Sequence, residues 1–170
     1  AKEGKSLLEK KIVVFDAPEA IMAATKNLPG YYFYGDAMFK GENRQTGSMI
    51  TVFLSDKEGT VSMNISDESG KVVKSADINL QRGFNRVFWR FDRNPLPSAG
   101  QAIQGEDQRG RYFRNFGGPA LPGRYIASFK NGEETATAGL ITRYDPRLPE
   151  PDINALKGNR ERAERIASGI

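Results

Sequence analysis

The segment at 83–92, GFNRVFWRFD, constrains the fold of this chain more than any other stretch. It contains the single tryptophan, Trp89, and three of the ten phenylalanines. Side chains alternate along a β-strand, so Val87, Trp89 and Phe91 share one face. Because this face is uniformly apolar, the pattern predicts that it belongs to the core.

The opposite face of the same strand carries Phe84 and Phe88, which alternate with Arg86 and Arg90. Arginine stems can lie over aromatic rings while their charged groups stay in water. We therefore expect this face to be half covered. A core face backed by a half-covered face predicts a long strand that is central or near-central in its sheet.

Other segments share this period of two, and turn residues separate them. MITVFL at 49–54 is apolar on both faces, whereas 61–66 and 124–129 alternate between apolar and polar residues. Asn131-Gly132 predicts a hairpin turn. About seven short strands at this spacing predict an all-β fold, specifically a β-sandwich. The predicted structural core is Val61, Met63, Ile65, Val87, Trp89, Phe91, Tyr125 and Phe129.

The two ends of the chain differ from this β pattern. Residues 12–15 could be a strand or an apolar anchor, and Asp16 followed by Glu19 resembles the start of a short helix of about three turns. Near the C-terminus, Asp152 can cap a second helix, which is expected to pack marginally on the domain or to be reserved for a partner. The apolar face predicted for this helix is Ile153, Leu156, Ala163 and Ile166. The predicted organisation is an N-terminal linker and helix at 1–40, a sandwich at 41–148 with a long insert at 93–120, and a helical tail at 149–170.

Composition excludes several classes of function. The 170 residues include no cysteine and no histidine, which rules out disulfides, thiol catalysis and triads that use histidine as the base. The net charge of +4 arises from scattered charges of both signs, unlike the basic stripe of a nucleic-acid binder. No run approaches the ~20 apolar residues that span a bilayer. We predict no cofactor, no metal, no nucleic-acid partner and no membrane insertion.

Carboxylates in loops and at strand ends are candidate glycosidase catalysts, which work as a pair about 5–10 Å apart. Nothing in their spacing selects a pair, so the chain is predicted not to be an enzyme. Oxygen-rich turns at 56–59 and 67–70 superficially resemble calcium loops, but their patterns indicate β-turns. The carboxylates considered are Asp36, Glu42, Asp92, Glu106 and Asp107.

Two aromatic clusters fall outside the strand pattern. The first is YYFY at 31–34, and the second lies in the insert at 93–120, which is rich in Gly, Pro and Arg. The rings at 31–34 can stack on sugars or peptides, although packing at a sheet edge or against another domain is favoured. Those of the insert can stack on nucleotides or anionic sugars, although folding of the loop over its own sheet is favoured. Long inserts are often functional. The candidate residues for a partner interface or for sugar stacking are Tyr31, Tyr32, Tyr34, Tyr112, Phe113 and Phe116.

Five segments between residues 33 and 148 follow one another in a familiar order: GENRQTGSMITVFL, VSMNISDESGKVV, GFNRVFWRF, LPGRYIASF and YDPRL. This order resembles the immunoglobulin-like module at the C-terminus of large secreted bacterial proteins whose main body is a propeller of neuraminidase-type or sortilin-like repeats. It is more distantly similar to the immunoglobulin-like domain of the flagellar hook-capping protein. Two departures are Arg44-Gln45, where that family tends to have Pro-Pro, and Arg90, where it has an acidic residue.

The resemblance implies an immunoglobulin-like sandwich that serves as a non-catalytic accessory module of a larger exported protein. The implied location is periplasmic or extracellular, and the implied partner is the propeller domain of the parent protein or another protein. Any catalytic site would then lie on the propeller. The alternative is a carbohydrate-binding module that binds a glycan through exposed aromatic residues.

Overall fold

The computed structural model describes residues 10–23, 45–55, 58–95 and 118–168. These residues form two β-sheets and a C-terminal helix, which confirms the predicted all-β architecture of two packed sheets. The elements are β1 (Ile12–Val14), β2 (Ala20–Met22), β3 (Ser48–Leu54), β4 (Gly59–Asp67), β5 (Val72–Leu80), β6 (Gly83–Trp89), β7 (Gly123–Asn131), β8 (Glu134–Tyr144) and α1 (Ile153–Ser168).

The smaller sheet has the order β1-β3-β6 and the larger sheet the order β2-β8-β7-β4-β5. Neighbouring strands are antiparallel, except that β2 runs parallel to β8. The β7–β8 hairpin turns where Asn131-Gly132 predicted, with Gly132 at φ 62°, a backbone conformation that glycine adopts without a steric penalty. Each strand therefore has one face toward the layer between the sheets.

Trp89 lies in this layer with 1% of its surface exposed. Its ring meets Tyr125 of the larger sheet edge-to-face, with the ring centroids 4.8 Å apart, and its Nε1 donates a 2.8 Å hydrogen bond to the carbonyl oxygen of Asp92. One side chain thus joins the two sheets. Every residue of the predicted core is buried except Val87, which is half-buried and packs against the cluster.

The predicted central position of the Trp89 strand is wrong. β6 pairs with β3 along its length, and within the described ranges it has no partner on its other side, so it forms an edge of the smaller sheet. Aromatic residues occur on both faces of the strand for a different reason. Its inner face packs in the core, while Phe84 on its outer face contacts other aromatic rings of the same sheet.

Phe91 is buried as predicted, but it does not extend the strand. Its φ of 60° lies in the left-handed region, a conformation that costs a non-glycine residue about 1–3 kcal/mol. This backbone conformation is held because the Phe91 ring packs edge-to-face on Trp89 and the Phe91 carbonyl oxygen accepts a hydrogen bond from the Ala120 amide. Nearby, a Cβ on Gly47 would lie 2.5 Å from the carbonyl oxygen of Trp89, so only glycine fits there.

The predicted N-terminal helix is wrong over the described residues 16–23. This segment contains strand β2, whose Ala20 is buried and pairs with Thr142 of the larger sheet. β1 pairs with β3 of the smaller sheet, so residues 12–22 contact both sheets. Open sheet edges offer backbone hydrogen bonds and apolar cover, which outweigh a weak local helical preference. The remainder of the predicted helix lies outside the described residues.

A β-bulge explains the irregular apolar spacing of β5. Ile65 pairs with Lys74 and Ser66 pairs with Val72, which leaves Val73 as the extra residue. Val73 is buried and Val72 is exposed. The adjoining turn is a β-turn, as predicted, because the Gly70 amide donates a 2.9 Å hydrogen bond to the carbonyl oxygen of Asp67. Asp67 Oδ1 also accepts hydrogen bonds from the backbone amides of Ser69 and Lys71.

Helix α1 begins where predicted, since Asp152 Oδ1 accepts hydrogen bonds from the amides of Asn154 and Ala155. Polar contacts tie the helix to the sandwich. Glu164 accepts hydrogen bonds from Lys71 at 2.9 Å and Arg93 at 3.0 Å, and Arg160 donates one to the carbonyl oxygen of Pro119 at 2.6 Å. Ile166 is exposed, so the predicted apolar face of the helix is only partly used.

The chain leaves β8 through a turn built on Asp145, a buried carboxylate in the YDPRL segment. Its Oδ1 accepts hydrogen bonds from the Arg147 amide at 3.0 Å and from the Arg147 Nε at 2.8 Å. These bonds favour the charged form of the carboxylate and lower the pKa of Asp145 to about 2.

We expect Trp89→Ala to lower the free energy of unfolding by about 3–5 kcal/mol, because it removes buried apolar surface and leaves a cavity between the sheets. Urea unfolding followed by circular dichroism measures this change. Phe84→Ala on the outer face of the same strand is the matched control and should cost less than about 1 kcal/mol. Similar costs for both variants would contradict the assigned burial.

We expect Asp145→Asn to destabilise the protein at neutral pH but to matter progressively less in acid. The folded-state pKa is about 2, below the ordinary aspartate pKa of about 3.9, so the contribution is complete above the latter and is lost as the pH falls through about 2. Urea midpoints of wild type and variant at several pH values test this. Glu133→Gln, at an exposed turn carboxylate, is the control, and a difference independent of pH would refute the linkage.

Candidate functional site

The outer face of the smaller sheet is the most distinctive surface of the described chain. Directly paired residues project to the same side of a sheet, so the register of β1, β3 and β6 places Val13, Phe53 and Phe84 side by side. Further along the same face, Met49 lies beside Phe88. This side of the sheet faces away from the core, because the alternate residues of β3 are the buried ones.

Three phenylalanine rings form a contiguous cluster on this side, which we call the aromatic face: Phe15, Phe53 and Phe84. The Phe84 centroid is 5.0 Å from that of Phe53 and 5.9 Å from that of Phe15. Phe84 is 73% exposed. These separations lie within the range of favourable ring contacts, so the rings support one another while leaving apolar surface in water.

The backbone around Phe84 is braced by a neighbouring side chain. Asn85 Oδ1 accepts a hydrogen bond from the Gln81 amide at 2.9 Å, and its Nδ2 donates to the carbonyl oxygens of Gln81 at 2.7 Å and Gly83 at 3.0 Å. The tight β5–β6 connection is therefore fixed on both sides of Phe84. An exposed ring on a fixed backbone can meet a partner at a lower entropic cost than a ring on a loose loop.

The ring orientations favour one kind of partner over another. The Phe84 plane is tilted by 55° from that of Phe53 and by 38° from that of Phe15. A sugar-stacking platform needs rings that are coplanar on an open surface, whereas an apolar protein surface can pack against tilted rings. The sequence predicted that arginine stems lie over the rings on this side of the sheet. The ring contacts described there are between phenylalanines.

The aromatic residues that the sequence singled out as candidates are not part of this cluster. Tyr31, Tyr32, Tyr34, Tyr112, Phe113 and Phe116 lie outside the described residues, and their predicted role stays a prediction. Sequence reasoning missed Phe15 and Phe53 as members of an exposed cluster. In the sequence, the alternation around Phe84 was the available signal for an aromatic surface. Only the strand register shows which rings lie beside Phe84.

The carboxylates considered for catalysis form no pair in the described ranges. Asp92 makes an ion pair with Lys74, and the other four lie outside those ranges. No group of three or more acidic side chains converges there in a way that could hold a metal ion. In the same part of the chain, no helix has the length and apolarity needed to cross a membrane.

Comparisons of this chain with protein-family models, curated proteins and solved structures each returned no match. The resemblance drawn from the sequence motifs therefore stays a prediction. The geometry of the described residues is the basis for the proposals below.

Proposed function

We propose that this chain is a non-catalytic accessory module of a larger exported protein, and that it packs through the aromatic face on a propeller domain or another protein. The observation that carries this proposal is Phe84, a large ring that is 73% exposed on a braced edge strand and in contact with two further rings. An exposed large apolar side chain that contacts further, partly buried rings forms the kind of apolar patch that marks an interaction surface.

Burying a phenylalanine side chain is worth roughly 1.5–3 kcal/mol, and aromatic residues recur among the few that dominate interface energies. Arg86 lies in register with Thr51 on the same side of the sheet and adds a charge beside the rings. An apolar centre with a charged rim is the usual composition of a protein interface.

We further propose that the sandwich is immunoglobulin-like. The Tyr125 hydroxyl near the start of β7 donates a 2.6 Å hydrogen bond to the carbonyl oxygen of Leu121, four residues upstream. This arrangement matches the tyrosine corner of immunoglobulin-like domains. Burial also raises the pKa of Tyr125, which keeps the hydroxyl protonated as a donor. The buried tryptophan between antiparallel sheets is a second shared feature.

Hydroxyl-radical footprinting tests the interface. In the isolated chain, Phe84 should be modified readily. In a polypeptide that also contains the proposed propeller domain, its modification should fall several-fold, because the partner covers the ring. Exposed Leu148, outside the aromatic face, serves as the internal control. Equal modification of Phe84 in both samples would count against the proposed interface.

A matched pair of variants extends the test. Phe84→Ser should weaken the association of the two domains, measured by sedimentation when they are expressed separately. Ile126→Ser, at an exposed apolar position on the larger sheet, should leave it unchanged. Equal effects of the two variants would indicate a general change in solubility and not a specific contact.

The carbohydrate-binding alternative predicts glycan binding, whereas the proposed protein contact predicts none. A glycan array probed with the isolated chain should give no signal above background, and a hydrolase panel should show no turnover. Saturable glycan binding that is lost in Phe84→Ala would replace the proposed protein contact with a sugar site. Turnover that disappears on replacing a single carboxylate would overturn the non-catalytic assignment.

A further inference from the structure

A crevice of about 430 Å³ lies between helix α1 and the sandwich, away from the residues of the aromatic face. Met22 at the end of β2, Tyr144 at the end of β8 and the segment 118–121 form one wall, and α1 forms the other. The volume is within the ~300–1,000 Å³ range of small-molecule pockets. The apolar side chains that line it are Met22, Ala120, Leu121, Tyr144, Leu156 and Ala163.

Two arginines line the same crevice, and its described lining includes no acidic residue. Arg93 is 7% exposed, and its Nη2 donates to Glu164 at 3.0 Å. Its buried Nε has no hydrogen-bond acceptor among the described residues. Glu164 is shared with Lys71, so one carboxylate serves two cations. The positive charge of Arg93 is therefore incompletely neutralised by the protein.

Arg160 of α1 reinforces this positive charge. It donates a 2.6 Å hydrogen bond to the carbonyl oxygen of Pro119, which holds its side chain across the crevice. Burial lowers the pKa of the Arg160 guanidinium, the nearby charge of Arg93 lowers it further, and the charge of Glu164 opposes these effects only in part. Arginine nevertheless stays protonated in proteins. Two like charges are thus held in a partly enclosed, mostly apolar space, and an added anion would relieve their repulsion.

We propose that this crevice binds a small organic carboxylate, with its charged group against Arg93 and Arg160 and its apolar body against the lining. Guanidinium groups recognise carboxylates through paired N–H donors. The apolar walls favour a hydrocarbon body over a bare inorganic ion. This site is independent of the aromatic face and of the partner proposed for it.

NMR titration of the whole chain tests the proposal, with hexanoate as the probe and hexanamide as its neutral counterpart of similar size. Hexanoate should give saturable shifts in the amides of 118–121 and of α1, and in the side-chain Nε–H signal of Arg93. Hexanamide and inorganic phosphate should bind at least tenfold more weakly. Equal binding of hexanamide would overturn the role of the arginines, and stronger binding of phosphate would overturn the role of the apolar walls.

Two variants of α1 test the same proposal by changing the charge on the helix. Arg160→Gln should weaken hexanoate binding about tenfold or more, the loss expected for one charge-assisted hydrogen bond. Arg162→Gln removes the same charge from an exposed position on the same helix and should change affinity less than twofold. An equal loss in Arg160→Gln and Arg162→Gln, or no saturable shift with wild type, would refute the site.

Because Arg160 also ties α1 to the sandwich, the amide spectrum of unliganded Arg160→Gln is compared with that of wild type. Arg160→Lys, which keeps the charge, should retain more affinity than Arg160→Gln. Equal losses in these two variants would refute the role of the charge.

Discussion

The contact between Trp89 and Tyr125 is the interaction on which the rest of the domain depends. Trp89 stands at the end of an edge strand of one sheet, and Tyr125 stands near the start of β7 in the other. Both rings also bond to backbone, through Trp89 Nε1 to Asp92 and the Tyr125 hydroxyl to Leu121. The pair therefore sets the spacing of the sheets and fixes the turns on either side of the segment 96–117.

The N-terminal segment and the C-terminal helix are attached to this core by different forces. β1 and β2 use backbone hydrogen bonds to one strand of each sheet and bury Ile12 and Ala20. Helix α1 relies on the ion pairs of Glu164 and on Arg160. The hydrogen bond from Lys71 is the largest cause of the lowered pKa of Glu164. The attachment of α1 to the sandwich therefore requires the ionised form of this carboxylate. Apolar burial has no direct dependence on pH, whereas partly exposed ion pairs respond to pH and are screened by salt.

The two proposed sites follow from this difference. The aromatic face is apolar surface on a rigid edge strand, suited to a broad contact with another protein. The crevice lies between the sandwich and a helix that charged and polar contacts hold, and the Nε of Arg93 in its lining has no hydrogen-bond acceptor among the described residues. Each site is formed by side chains that do not join the apolar core.

Local sequence determined several features, because each depends on residues close in the chain. Alternation determined the strands β4, β6, β7 and β8 and the burial of Trp89, Tyr125 and Phe129, Asn131-Gly132 determined the β7–β8 hairpin, and Asp152 determined the cap of α1. Tertiary structure alone decided that residues 20–22 are a strand, that β6 is an edge, and that Phe15, Phe53 and Phe84 meet. It also brought Arg93 and Arg160 together across 67 positions of sequence. Local pattern specifies which face of a strand is apolar, but the partners of that face are set by pairing and packing between distant segments, whose energies no single segment contains.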